Sequence, residues 1–342
     1  MEYKRIGVDT SKNVFTLHGI DQQDRAVLRR DLSRSQFEAF FAKQAPSDIA
    51  LEACGGSHHW GRMLSRQGHR VRLIAPQYVK PFVKRGKTDA ADAEAICEAA
   101  GRPGMGSVPI RSAESQAEAM VLRVRELLVR QRTQLVNALR GHATEFGLVV
   151  GIGLHKVEAL LAKVASDPAI PVVAQEMLAV LGEQIAALDQ RIAVLDQRLL
   201  ALHKASAMSR LLEGIPGVGP LTAISLTLAV DPAQFASGRH FAAWAGLTPR
   251  AHSSGGKHRM GGISRAGNER LRQLLVVGAM AVIRHAKPGA KNASAWLLGL
   301  LERKPRKLAA VALANKMARI VWAMMTRGEA YRRGPVAAMA AG

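Results

Sequence analysis

Along the first hundred residues the apolar positions come in short runs broken by polar turns. Residues 4–8 alternate weakly and end at Asp9, and residues 14–19 and 26–32 read as two further strands. The turn Asp21-Gln22-Gln23-Asp24 joins those two. Residues 35–43 predict a short helix with Phe37, Phe40 and Phe41 inward. Residues 49–52 predict a fourth strand stopped by Gly55-Gly56, 59–67 a helix, 71–75 a fifth strand closed by Pro76, and 88–100 a helix. Three strands followed by strand–helix alternation describe an α/β sheet covered by helices. They also allow the first and fourth strands to lie side by side.

The pattern then changes period. Residues 113–146 read as one long helix rich in arginine, with Arg123, Arg125, Arg130, Arg132 and Arg140. Between 178 and 202, Leu178, Leu181, Ile185, Leu188, Ile192, Leu195, Leu199 and Leu202 recur at alternating intervals of three and four. That is an a/d coiled-coil seam, able to pair within the chain or between subunits. A compact helical region follows. The expected class is therefore α/β plus all-α, with domains at 1–110, 111–205 and 206–333 and an unordered tail at 334–342.

Charge separates these regions further. The chain has 342 residues and a formal net charge of +21. Residues 1–110 hold 17 Lys/Arg and 12 Asp/Glu, whereas 239–333 hold 19 Lys/Arg against Glu269, Glu302 and Glu329 alone. Carboxylates are available for chemistry at one end, and the other end is an electropositive surface suited to nucleic acid. A hydrophobic content of 48% excludes a disordered basic tail protein. The longest apolar run, 274–283, is too short to span a bilayer, and the start shows no signal-peptide core, so no membrane role is expected. Two cysteines, Cys54 and Cys97, exclude a disulfide scaffold and suit a reducing cytosol. No spacing among His58, His59, His252 and His258 supports a zinc site.

Four carboxylates stand at informative places. Asp9 ends the first strand, Glu52 ends the fourth, and Asp89 and Asp92 share a face at the start of a helix. Neighbouring strand ends and a covering helix can bring them together, and four hard oxygen ligands suit Mg²⁺ in phosphodiester chemistry. The segments Gly7-Val8-Asp9-Thr10-Ser11-Lys12, Glu52-Ala53-Cys54-Gly55 and Lys87-Thr88-Asp89-Ala90-Ala91-Asp92-Ala93 resemble the RuvC-like, RNase H-fold domain of the DEDD transposases, the recombinases of insertion-sequence family 110. The resemblance implies that Asp9, Glu52, Asp89 and Asp92 bind catalytic metal ions.

Two motifs mark the basic end. Gly214-Ile215-Pro216-Gly217-Val218-Gly219-Pro220 resembles a helix-hairpin-helix turn, where Gly217 and Gly219 would leave backbone N–H groups free for a phosphate; a plain interhelical turn is the alternative. Residues 251–268 form a polar, glycine-rich, cationic block expected to be a loop, with Lys257, Arg259 and Arg265 against a phosphate backbone and Arg250 just before it as a further nucleic-acid contact. With the preceding Gly246-Leu247-Thr248-Pro249-Arg250, this block resembles the C-terminal transposase domain of the same family. That resemblance places a serine nucleophile at Ser254; a shift of one would exchange it for Ser253.

The resemblance runs over about residues 3–330 and implies an RNA-guided DNA recombinase. Such a protein makes a covalent phosphoserine, uses Mg²⁺, and binds donor and target DNA with a structured non-coding guide RNA. It works as a homo-oligomer, a dimer or a tetramer of two dimers, in the cytoplasm and on the nucleoid when active. Two other readings stay open. One is a metal-dependent RNase H-fold nuclease or Holliday-junction resolvase using water; the other is a non-catalytic architectural RNA- or DNA-binding protein.

Overall fold

A computed structural model of the chain describes residues 2–84, 86, 88–253, 255–257, 259–287 and 294–332. The chain divides into two compact units, 1–117 and 118–342.

The first unit is built on a five-stranded mixed sheet. Its strands are β1 (Arg5–Thr10), β2 (Val14–Ile20), β3 (Ala26–Ser33), β4 (Asp48–Glu52) and β5 (Arg70–Ile74), in spatial order β3-β2-β1-β4-β5. β1, β2 and β3 pair antiparallel, and β1, β4 and β5 pair parallel. The architecture is consistent with an RNase H-like domain. Period-two alternation sorts the side chains: Ile6, Val8, Phe15, Leu17, Ile49 and Leu51 face helices α1 (Arg34–Phe41) and α2 (Ser57–Arg66), burying Phe37, Phe41, Trp60 and Leu64. A short helix, α3 (Pro76–Val79), follows β5. On the other face Ala50 and Ile74 pack with Ile96, Ala99 and Ala100 of α4 (Asp89–Gly101).

Helix α4 lies along β1 in the opposite direction, and the two periods keep step. Arg5 Nη1 donates to Cys97 O (3.0 Å) near the end of α4, and Gly7 meets Ala93 and Cys97 one turn earlier. Two strand residues rise about 6.6 Å and four helical residues about 6.0 Å. One further step puts Asp9 at the level of Asp89. This closeness requires Gly7: a Cβ there would sit on Ala93 O and 2.6 Å from Cys97 N. We expect Gly7→Ala to cost about 3 kcal/mol, measured by urea unfolding, because both obstacles are backbone atoms of one helix. An unchanged midpoint would mean α4 does not rest on β1 as described.

The second unit is helical. It begins within α5 (Ala113–Glu145) and continues through α6 (His155–Ser166), α7 (Val172–Ala205), α8 (Ala207–Glu213), α9 (Pro220–Ala229) and α10 (Gly238–Trp244). Then come a hairpin of β6 (Pro249–Ala251) and β7 (Met260–Ile263), and α11 (Glu269–Arg284), α12 (Ala295–Arg303) and α13 (Arg306–Arg327). The 3-4 seam of α7 is buried or half-buried within the chain, with Leu178 and Ile185 in a cluster with Val136 and Leu139 of α5 and Val157, Leu160 and Val164 of α6. Arg125 pairs with Asp196 and Arg132 with Asp189, so seven residues forward on α5 match seven back on α7. The two helices therefore run antiparallel in heptad register. A separate core joins α8 to α13 through Leu212, Phe241, Leu275, Ala314 and Val321. By length and composition α13 would pass for a membrane span, but Ala309, Ala314, Met317 and Val321 pack in this core.

Two features depart from the hydrophobic pattern. Helix α6 occupies a stretch where the sequence reading assigns no element. The 251–268 block contains strand β7 and part of β6, not loop alone: Pro249 pairs with Ile263 and Ala251 with Met260. Nearly every residue of both strands is exposed, so no apolar alternation marks them; backbone hydrogen bonds alone make the ladder. The tail expected to be unordered lies outside the described residues.

Candidate functional site

Strand pairing and the α4 register converge on four carboxylates. β1 and β4 pair through Val8 and Leu51, and Asp9 and Glu52 are the next residue on each. Thr88 caps α4 by accepting from Ala91 N (3.2 Å), which starts the helix so that Asp89 and Asp92 fall in its first turn. Ligand oxygens of Asp9, Asp89 and Asp92 all lie within 4.8 Å of one another. Glu52 is outside that tight group but within its field.

The electrostatics fit a hard cation. Burial, then the charges of Asp92, Asp89 and Glu52, push the Asp9 carboxyl up to about 6, opposed by the Thr10 backbone amide. Glu52 is raised by burial and by Asp92. Among the described residues no cation enters either balance. Elsewhere in this unit the carboxylates of Asp48, Glu94 and Glu98 are paired with Arg70, Lys84 and Arg102. A set of oxygens that repel one another, with no counter-ion among the described residues, suits a divalent metal. Beside it, Thr10 Oγ1 and Cys54 Sγ stand 3.3 Å apart, Thr10 half-buried and Cys54 exposed.

The serine block forms the β6–β7 hairpin. Ser254 lies outside the described residues. Ser253 Oγ accepts from Arg259 N (3.3 Å), and His252 N donates to Arg259 O (2.8 Å). Gly255 and Gly256 take left-handed backbone in the turn, Lys257 and Arg259 are exposed around it, and Arg265 is exposed at the other end of the hairpin. Arg250 is also exposed, with Nη2 donating to Ser264 O (2.8 Å).

Other expected nucleic-acid residues divide. Arg123 and Arg130 are exposed, while Arg125 and Arg132 are half-buried and engaged by Asp196 and Asp189. Gly217 has φ +87°, and a Cβ there would fall 2.6 Å from Gly278 O, so it lets the α8–α9 turn rest on α11. Gly219 has open space and precedes Pro220, the first residue of α9. The sequence reading did not single out Gly7, Thr88 or Arg272; of these, only Thr88 carries a local signal, a Thr three residues before a helical Ala-Asp pair.

Comparison with known proteins bears on both ends of the chain. The family described as Transposase IS116/IS110/IS902 family matches residues 209–295, and the DEDD transposase family of insertion sequence 110 matches residues 6–147. The chain is 54% identical to the transposase named y4pF/y4sB of Sinorhizobium fredii, over 96% of this chain and 86% of that protein. It is 40% identical to the transposase for insertion sequence element IS1111A of Coxiella burnetii, over 97% and 92%. With the transposase for insertion sequence element IS1328 of Yersinia enterocolitica it shares 37% identity, over 96% and 98%.

Proposed function

Since the chain belongs to the IS116/IS110/IS902 family of transposases and is therefore a DNA transposase, we propose that it is an RNA-guided recombinase. On this reading it cuts and rejoins donor and target DNA through a covalent phosphoserine. The observation that carries the reading is the tight Asp9–Asp89–Asp92 cluster, on which no cation acts among the described residues. The DEDD family implies a divalent metal, and Mg²⁺ held by Asp9, Glu52, Asp89 and Asp92 would supply positive charge for the transferred phosphoryl group.

The remaining roles fall to the chain itself. The Ser254 hydroxyl attacks a DNA phosphorus. As the Oγ–P bond forms, the bond to one deoxyribose oxygen breaks, and the hydroxyl proton passes to that departing oxygen. An incoming deoxyribose hydroxyl reverses these steps and restores the serine, so joining needs no external energy source. Arg250, Lys257, Arg259 and Arg265 neutralise phosphates beside the serine. Arg123 and Arg130, with the +16 charge of residues 239–333, supply contacts to the guide RNA and DNA backbones.

Ser254→Ala is expected to abolish the protein–DNA adduct and strand transfer. Nucleic-acid affinity should stay within about twofold, because binding is spread over many phosphate contacts. Denaturing electrophoresis with labelled DNA reads the adduct, and peptide mapping locates it. An adduct on Ser253 would move the nucleophile by one residue. Mg²⁺-dependent cleavage with no adduct would favour water as nucleophile.

A further inference from the structure

The β6–β7 hairpin has exposed residues on both faces, so packing of its own side chains does not fix its direction. Its root does. Ser264 N donates to Thr248 O (2.8 Å) and Arg265 N to Gly246 O (3.2 Å). Asn315 Nδ2 donates to Leu247 O (3.2 Å), and Asn268 caps α11 by accepting from Leu271 N (3.1 Å). The backbones are so close that a Cβ on Gly246 would come 2.5 Å from Ala266 O. Arg265 itself holds left-handed backbone, φ 56°, uncommon for a residue with a side chain.

Arg272 stands at the centre of this root. It occupies an inward position of α11, with Leu275 and Ala279 following on the same side at the core spacing, and is only 9% exposed. An apolar residue would satisfy the helix pattern there. A guanidinium stays protonated, and burying it costs several kcal/mol unless it is well bonded. Among the described residues no carboxylate pairs with it. Its Nη1 donates instead to two backbone carbonyls, Ala266 O at 2.6 Å and Ala245 O at 3.2 Å. Ala245 lies on the chain entering the hairpin and Ala266 on the chain leaving it. One nitrogen thus ties the two sides together.

We propose that Arg272 is a positioning residue: its guanidinium bridges both sides of the root and sets the direction in which the hairpin presents its serine and its cations to a DNA phosphate. The proposal rests on the serine reading of this hairpin. Misplacement of a nucleophile by about 1 Å can cost about a hundredfold in rate without a matching loss of binding.

The test compares Arg272→Met, Arg272→Lys and wild type, each purified together with the RNA that accompanies it, on duplex DNA with Mg²⁺. Arg272→Met is expected to slow adduct formation at saturating DNA about a hundredfold while DNA affinity changes less than threefold. Arg272→Lys, which keeps a donor for the carbonyls, should recover about tenfold of that loss. Hydrogen exchange supplies a second readout independent of chemistry: the amides of Ser264 and Arg265 should exchange at least tenfold faster in Arg272→Lys, with the α13 core amides unchanged. Wild-type adduct rates in a folded Arg272→Met would overturn the proposal, as would root amides that exchange no faster in Arg272→Lys. If wild-type protein itself forms no adduct, the serine reading falls, and the exchange experiment still decides whether Arg272 holds the root.

Discussion

Asp9→Asn is expected to abolish DNA strand cleavage and, in metal-free buffer above pH 6, to make the protein more stable rather than less. Both effects come from one geometry. Asp9 is partly buried at the end of the central strand, with Asp89 and Asp92 within 4.8 Å and Glu52 adding to the same negative field. Its carboxyl is raised from 3.8 to about 6. A raised acid holds its proton more tightly in the folded than in the unfolded state, so stability falls as pH rises between about 3.8 and 6 and stays low above that window. The amide keeps the size and removes the repelling charge. The gain is about 2 kcal/mol at pH 8, and almost nothing at pH 3.5, where the native carboxyl is protonated. Added Mg²⁺ should stabilise the wild type at pH 8 and should stabilise Asp9→Asn much less. Thermal melts at the two pH values, with and without Mg²⁺, read the stability, and a labelled-DNA cleavage assay reads the activity. Mg²⁺-dependent cleavage at the wild-type rate by Asp9→Asn would remove Asp9 from the proposed metal site. A lower melting temperature in metal-free buffer at pH 8 would contradict the electrostatics.

How much of this is written in the sequence depends on the range of the interaction that carries it. The strands ending at Asp9 and Glu52 are legible because alternation is a local signal. Asp89 and Asp92 are legible as a pair because i and i+3 share a helix face. That all these residues meet depends on Gly7, whose missing side chain lets α4 settle against the sheet; nothing at position 7 announces a helix 86 residues later. The arginines of α5 mislead in the opposite way. Arg123, Arg125, Arg130 and Arg132 look alike as sequence, but Arg125 and Arg132 face Asp196 and Asp189 while Arg123 and Arg130 are exposed, so only the partners tell structural cations from solvent-facing ones. The hairpin escapes because its order comes from backbone bonds and a buried arginine at its root, and period-two patterning reports burial. Gly217, a phosphate-binding candidate by motif, is also a packing glycine against Gly278, a contact that no motif encodes.

Mixing two inactive proteins, Asp9→Ala and Ser254→Ala, is expected to restore strand cleavage. The carboxylates all lie before residue 93, and the serine lies in a separate compact unit. Recombination requires several DNA strands to be cut together, and a homo-oligomer can build each active site from the acidic residues of one subunit and the serine of another. In a mixed dimer with sites shared in this way, one site receives both substitutions and is dead. The other receives neither and works, so up to half of the mixed dimers' sites return from zero. If each subunit builds its own site, every site in the mixture carries one lesion, and activity stays at zero at any ratio. The experiment needs verified mixed dimers, obtained by co-expression with two different affinity tags and tandem purification, and its readout is adduct formation on the subunit that retains Ser254. Silence from such dimers would assign both catalytic groups to a single chain and leave the chemistry proposed for each residue intact.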